Sequence, residues 1–332
     1  MYDIKSPYLL FLGDAPDALA AKTARGIKDF RPERCTGQLR LEGCKADLGL
    51  PDLTLAEAYA KGAQTLVIGV ANRGGKISES WLSVLKEALA TGFDLAAGLH
   101  MRLADEPEIA ATALKHGRHL HDVRHPDGIS DVGTGFKRSG KRILGVGTDC
   151  SCGKMYTAVC LEREMHARGM KASLRATGQT GILVAGEGIS IDAVVADFIS
   201  GAVELLSPDN DPDHWDIIEG QGSLFHPSFA GVSTGLLHGA QPDALVLCHE
   251  PTRTHMRGLP HYPIPSIEEC MAQNLQVAQL TNPQARFAGF SINTQALSEA
   301  DAKAFIADLE DRFNLPATDP FRFGVKALVD AL

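Results

Sequence analysis

Residues 141–169, KRILGVGTDCSCGKMYTAVCLEREMHARG, set the start of a strand, a glycine-bounded loop and a segment with helical apolar spacing in direct succession. That order is the context a phosphate-binding loop requires. Gly147 and Gly153 bracket TDCSC, and glycines let successive backbone N–H groups turn into one concavity, to which the positive end of the following helix adds attraction. Lys154 supplies a cation beside it. Each charge-assisted hydrogen bond of this kind contributes roughly 1.5–3 kcal/mol, so a few of them hold a polyphosphate. The loop runs one residue longer than the G-x-x-x-x-G-K spacing.

The departure from the motif is Met155. A Ser or Thr hydroxyl ordinarily stands there and ligates the Mg²⁺ that accompanies a nucleotide. A thioether is a soft, weak ligand for a hard cation. Thr157 is no substitute, because two residues on it points about 200° away around the helix. The expectation is therefore a site whose phosphates are held and not cleaved, with no metal. A phosphate-bearing carrier such as coenzyme A fits that description.

At 332 residues the chain is long enough for two domains, and 44% hydrophobic with 22% charged residues is ordinary for a globular protein. Apolar runs such as TLVIGVA (65–71) have the length of buried strands, not membrane spans, and MYDIKSPYLLFLG lacks the ordered regions of a signal peptide. A net charge of −9 argues against nucleic-acid or anionic-membrane partners. The seven cysteines show no disulfide framework, which points to a reducing cytoplasm. Cys150 and Cys152 form C-x-C without a second pair at zinc spacing, and the histidines of KHGRHLHDVRH (115–125) match no metal motif.

The first half alternates strand and helix patterns. YLLFLG (8–13) precedes a helix-spaced APDALAAKTARGIKDF, TLVIGV (65–70) precedes SESWLSVLKEALATG, and DLAAGLH (94–100) precedes EPEIAATALKHG. Repeated units of this kind imply an α/β architecture with parallel sheets. The Gly-, Ser- and Pro-rich stretch near 126–140 reads as the connection, giving a first domain over 1–130, a linker over 131–140 and a P-loop domain over 141–332. In the second domain, apolar runs end in polar or glycine residues at Arg175, Thr177, Gln179, Thr180, Glu219, Gln221, His249, Glu250 and Asn293. Ligands of an open parallel sheet sit at such carboxyl ends.

These residues carry a resemblance. The opening Gly147-Thr148-Asp149, Glu219-Gly220 and Asn293 resemble the P-loop fold of dethiobiotin synthetase. The whole chain more closely resembles the DgcN-type D-glutamate N-acetyltransferase family, through GTDCSCGKMYT, RATGQTGILVAGEGISIDAV, EGQGSLFHP, AAGLHMRL, DVRHP and SGKR. The resemblance implies an N-terminal Rossmann-like parallel sheet, a C-terminal P-loop NTPase-like doubly wound sheet, and transfer of acetyl from acetyl-CoA to the amino group of D-glutamate in D-amino-acid catabolism.

The acyl donor is then expected on Gly147, Thr148, Asp149, Cys150, Ser151, Cys152, Gly153, Lys154, Met155 and Asn293. Amide formation needs a base to free the amine and donors for the oxyanion. His226 and His249 lead as bases because imidazole titrates near neutral pH, with Glu219 and Asp149 as carboxylate alternatives. Arginine's planar fork suits substrate carboxylates. Arg175 is the first choice, followed by Arg253 and Arg257, with Arg73 at a strand end of the first domain; Thr177, Gln179, Thr180 and Gln221 would complete the wall. The rival classes are an ATP/Mg-dependent ligase or kinase and a nucleotide-binding switch without turnover. Small-molecule substrates and a homodimer or higher homo-oligomer are the expected partners.

Overall fold

The computed structural model describes residues 3–18, 20–70 and 77–332. It comprises two compact units: Met1–Asp127 with Gly178–Ala193, and Gly128–Thr177 with Val194–Leu332.

The first unit holds strands β1 (Tyr8–Gly13), β2 (Cys35–Arg40), β3 (Thr65–Ile68), β4 (Asp94–Ala97) and β5 (Leu120–Asp122), and helices α1 (Lys22–Phe30), α2 (Leu55–Ala60), α3 (Glu79–Thr91) and α4 (Pro107–His116). The strands pair in parallel in the order β2-β1-β3-β4-β5. Every residue of β1 is buried, as a central parallel strand covered on both faces requires. One expectation differs from this, and one strand was not expected. The helix expected from about residue 15 begins at Lys22, because Asp17 accepts the Ala20 N–H at 2.8 Å and holds a turn ahead of it. The edge strand β2 had no sequence signal, since CTGQLR lacks an apolar run; its buried Gln38 is satisfied by Asp47, Asp52 and the Leu48 N–H.

The second unit begins with β6 (Lys141–Gly147), α5 (Lys154–Ala167) and β7 (Ala172–Arg175). The chain then makes α6 (Gln179–Ala185), which belongs to the first unit, although residues 178–193 lie within the span expected for the P-loop domain. Ile182, Leu183 and Val184 are buried there, the Arg34 guanidinium donates to the Ala185 carbonyl at 2.6 Å, and the Ile4 N–H donates to Gly186 O. The second unit resumes with α7 (Ile199–Leu206), β8 (Trp215–Ile218), α8 (Ala230–Ala240) and β9 (Ala244–His249). A hairpin, β10 (His255–Met256) and β11 (Leu259–Pro263), follows, and then α9 (Ile267–Gln279), β12 (Arg286–Ile292), α10 (Glu299–Phe313), β13 (Ala317–Thr318) and α11 (Lys326–Asp330).

The six-stranded sheet is parallel throughout, in the order β13-β12-β9-β6-β8-β7. The chain winds to one side of β6 first and to the other afterwards, and such a reversal opens a crevice at the carboxyl ends of the strands. Residues expected as a linker are docked within this unit. Thr134 and Gly135 donate their N–H groups to the Glu204 carboxylate, and the buried Arg138 donates to the carbonyls of Glu204, Ser207 and Gly239. Arg142, fully buried, adds bonds to Ser207 Oγ and to the Ser139 and Pro208 carbonyls. Arginine's five donors satisfy a cluster of buried carbonyls that composition alone does not reveal. Among the described residues no helix is long and apolar enough to cross a membrane.

Candidate functional site

The loop between β6 and α5 has the backbone of an anion cradle. Ser151 and Gly153 adopt positive φ, +54° and +110°, and alternation of backbone hand is what aims successive N–H groups inward. Among the described residues the N–H groups of Ser151, Cys152 and Gly153 donate to no acceptor. Lys154 is buried, with Nζ on the Asp149 carbonyl at 2.8 Å and 3.6 Å from Cys152 Sγ. Gly220, just beyond β8, lies directly under the loop's strand: a Cβ there would fall 1.6 Å from the Gly145 carbonyl oxygen. Only glycine permits that approach.

Thr157 is turned into the sheet. Its hydroxyl bonds Gly153 O at 3.0 Å and Ser291 Oγ at 2.7 Å and lies 3.5 Å from Cys248 Sγ, so it does not stand in place of the hydroxyl missing at Met155. Burial pushes the Cys248 thiol up to about 12, which keeps it a neutral filler beneath the loop.

Several expected site residues meet around this loop. Thr148 Oγ1 is 3.0 Å from His249 Nδ1, and the His249 ring stacks on Phe305 at 6.0 Å. Burial and then the Arg253 cation push His249 down to about 4, so its imidazole is neutral at physiological pH. Thr177 donates its N–H to Glu219 Oε2 at 2.9 Å and its hydroxyl to Glu219 O at 2.7 Å, and Gln221 donates to Thr177 Oγ1 at 3.0 Å. Asp149 accepts from Arg253 Nη1 at 2.6 Å and from the Arg257 N–H at 2.8 Å. His226 is buried with both ring nitrogens on backbone, Nδ1 accepting from Ser228 N–H and Nε2 bonded to the Arg257 carbonyl.

Asp149, Cys150 and His226 bring potential ligand atoms within 4.8 Å of one another. Asp149 and His226 spend their side-chain polar atoms on these hydrogen bonds, and burial pushes the Cys150 thiol up, which disfavours the thiolate a metal needs. Asp149 and His226 brace the loop against the following hairpin.

Arg175, the first choice for a substrate carboxylate, points elsewhere. Its Nε donates to Asp216 Oδ1 at 2.8 Å, and Asp216 pairs across the sheet with Ser173, two residues before Arg175. The side chain thus runs back along β7, away from the carboxyl edge, into an ion pair that is nearly closed to solvent. Gln179 and Thr180 fold with the first unit, where Gln179 Oε1 accepts from Arg124 at 3.0 Å. Arg73 lies outside the described residues.

Beside the loop, on the β12 side, is a cavity of about 370 Å³, within the range of small-molecule sites, roughly 300–1,000 Å³. Its walls are Cys152, Gly153, Tyr156 and Thr157 from the loop and α5, Ser291 to Asn293 and Gln295 after β12, and Asp319 to Arg322 after β13. Tyr156 and Phe321 meet edge to face at 5.2 Å. Asp319 is used up in turning the chain, accepting from Thr294, Phe321 and Arg322 N–H groups. Asn293 is legible as a strand end; Phe321 and Arg322 are not, because they follow a strand only two residues long that carries no apolar run, and Tyr156 sits in the first turn of α5 with no signal that sets it apart as a wall residue.

Residues 131–329 match the family described as a domain of unknown function (DUF1611_C), P-loop domain, and residues 39–126 match its N-terminal companion (DUF1611_N), a Rossmann-like domain. The chain is 60% identical over 329 residues to a D-glutamate N-acetyltransferase of Tritonibacter scottomollicae, covering 99% of both chains. It is 50% identical over 326 residues to a protein of the same name from a Pseudoalteromonas species, covering 98% of both. The crystal structure of a DUF1611 family protein from Anabaena variabilis is similar with a TM-score of 0.82 at 33% identity, over 98% of this chain and 99% of that one. With a Rossmann-like domain, a P-loop domain and full-length likeness to N-acetyltransferases, the chain belongs to the DUF1611 family and is an acyltransferase.

Proposed function

We propose that the protein transfers acetyl from acetyl-CoA to the amino group of D-glutamate, as a cytoplasmic homo-oligomer serving D-amino-acid catabolism. The observation that carries this is the full-length 60% identity to a D-glutamate N-acetyltransferase. The site supports it independently: a phosphate cradle without a metal hydroxyl stands next to a cavity with an aromatic pair and the Asn293 amide. That combination suits a nucleotide whose phosphates are handles. The diphosphate would lie on the loop N–H groups and Lys154, with the adenine toward Tyr156 and Asn293.

In the reaction, the amine nitrogen attacks the thioester carbonyl carbon and forms the C–N bond, a base takes the amine's proton, the C–S bond breaks, and the base passes that proton to the departing sulfur so that coenzyme A leaves as the thiol. His249 is the base we favour. It is neutral, and among the described residues its Nε2 has no hydrogen-bond partner. A bound anion that offsets Arg253 would raise its basicity toward the working range. His226 and Asp149 have their polar atoms engaged in the brace, and Glu219 holds the Thr177 backbone.

The test is release of coenzyme A thiol from acetyl-CoA with D-glutamate and L-glutamate in parallel, with EDTA present. Release with D-glutamate alone is the expected result. No release with either, and ADP formation when ATP, Mg²⁺ and glutamate are supplied, would replace acetyl transfer with a ligase or kinase reaction.

A further inference from the structure

Arg257 occupies a position that its exposure alone would not suggest. It stands at the turn of the β10–β11 hairpin, next to Gly258 at φ +80°. Its peptide is pinned from both sides: the N–H donates to Asp149 Oδ2 at 2.8 Å, and the carbonyl lies 3.2 Å from His226 Nε2. From there the guanidinium reaches the crest of the phosphate loop, where Nη1 donates to Ser151 Oγ. Among the described residues Nε and Nη2 have no partner, and no carboxylate lies within salt-bridge distance.

The other cations at the loop are committed. Lys154 is buried on the Asp149 carbonyl, and Arg253 is paired with Asp149 and Glu250 while it also donates to Cys150 O. Neither Lys154 nor Arg257 has a carboxylate partner among the described residues, but Lys154 is buried against a carbonyl, whereas Arg257 keeps two of its guanidinium nitrogens unpartnered at the crest of the loop. A solvated surface arginine has no need of a buried aspartate and a buried histidine to fix its backbone.

We propose that Arg257 is the phosphate countercharge of this loop, grasping the diphosphate of the acyl donor where other P-loops place Mg²⁺ on the hydroxyl that Met155 replaces. The assignment rests on acetyl-CoA being the donor. Asp149 and His226 are then positioning residues: they aim Arg257 and do not touch the reacting atoms. Arginine's fork matches two phosphate oxygens at once, which an ammonium cannot do.

The experiment compares wild type, Arg257→Ala and Arg257→Lys by calorimetry with coenzyme A and with inorganic pyrophosphate, and by steady-state kinetics. The alanine variant is expected to bind both ligands about ten- to a hundredfold more weakly, in keeping with the loss of a charge-assisted pair, with the lysine variant in between. The KM for acetyl-CoA should rise by a similar factor with kcat within about threefold, and the handicap should shrink on acetyl-pantetheine, which has no diphosphate. Mg²⁺ should leave wild-type affinity unchanged. Unaltered pyrophosphate and coenzyme A binding in the alanine variant would overturn the assignment, as would an equal loss on both acyl donors or a tenfold tightening of wild type by Mg²⁺. If wild type turns over no acetyl-CoA, the donor reading fails, while the pyrophosphate comparison still decides the role of Arg257.

Discussion

The two flanks of the P-loop strand end differently. On the β7–β8 flank, Arg175 is spent on Asp216, and Thr177, Glu219 and Gln221 hydrogen-bond one another. On the β9–β12 flank the chain leaves a cavity of about 370 Å³, a neutral imidazole with Nε2 unpartnered among the described residues, and a guanidinium with one hydrogen bond. Both flanks show the same sequence pattern, an apolar run closing in polar residues. A strand end fixes where a side chain starts; the charges within its reach decide whether it stays available.

Arg175 tests the difference between the flanks most directly. Its partner Asp216 is buried and also takes the Ser207 hydroxyl and the Asn210 amide. Removing one member of a buried pair leaves an uncompensated charge and typically costs 3–5 kcal/mol. With those two other donors still on Asp216, Arg175→Ala should lower unfolding free energy by about 3 kcal/mol, measured by urea titration, and leave the KM for D-glutamate within about twofold. A tenfold rise in that KM with little loss of stability would return Arg175 to the substrate site and erase the difference between the flanks.

Much of the second unit was readable because its strands are apolar runs with glycine or polar stops, and the P-loop motif fixed the central one. What escaped has physical reasons. The return of residues 178–193 to the first unit depends on Arg34 and Ile4, about 150 and 180 residues away in sequence. The docking of residues 131–140 depends on Glu204 and on carbonyls that any residue type carries. The availability of Arg257 and the commitment of Arg175 are set by one carboxylate each, Asp149 and Asp216, brought close only by folding. Half of the cavity's aromatic pair, Phe321, comes from a turn after a two-residue strand.

The electrostatic difference between the flanks has a smaller effect on stability, through His249. Burial first, and Arg253 second, hold His249 down to about 4 against 6.5 for the ordinary group. Between those values the unfolded chain takes up a proton that the folded chain refuses, so the stability this residue permits is complete above pH 6.5 and declines as pH falls toward 4. The difference amounts to about 3 kcal/mol at most. His249→Asn keeps a polar partner for Thr148 without the titration. The stability of wild type minus that of the variant, followed by denaturant melts from pH 7 to 4, should fall by about 2 kcal/mol. A flat difference would mean that the imidazole protonates freely in the folded protein and that its flank is wetter than its burial indicates.

The smallest effect concerns Asn293, at the open end of β12. Its Oδ1 accepts the Gln295 N–H at 3.2 Å, a local turn that fixes the side chain at the cavity wall. The amide nitrogen is then the part that can donate to a purine. One neutral hydrogen bond is worth about 1 kcal/mol, so Asn293→Ala should raise the KM for acetyl-CoA about fivefold and shift the melting temperature little. Asn293→Asp separates recognition from shape: it keeps the turn acceptor and replaces the donor with a repelled acceptor, and it should bind coenzyme A more weakly than alanine does. If aspartate instead matches wild type while alanine fails, Asn293 acts only through its turn, and the purine must find its partner among the aromatic residues of the wall.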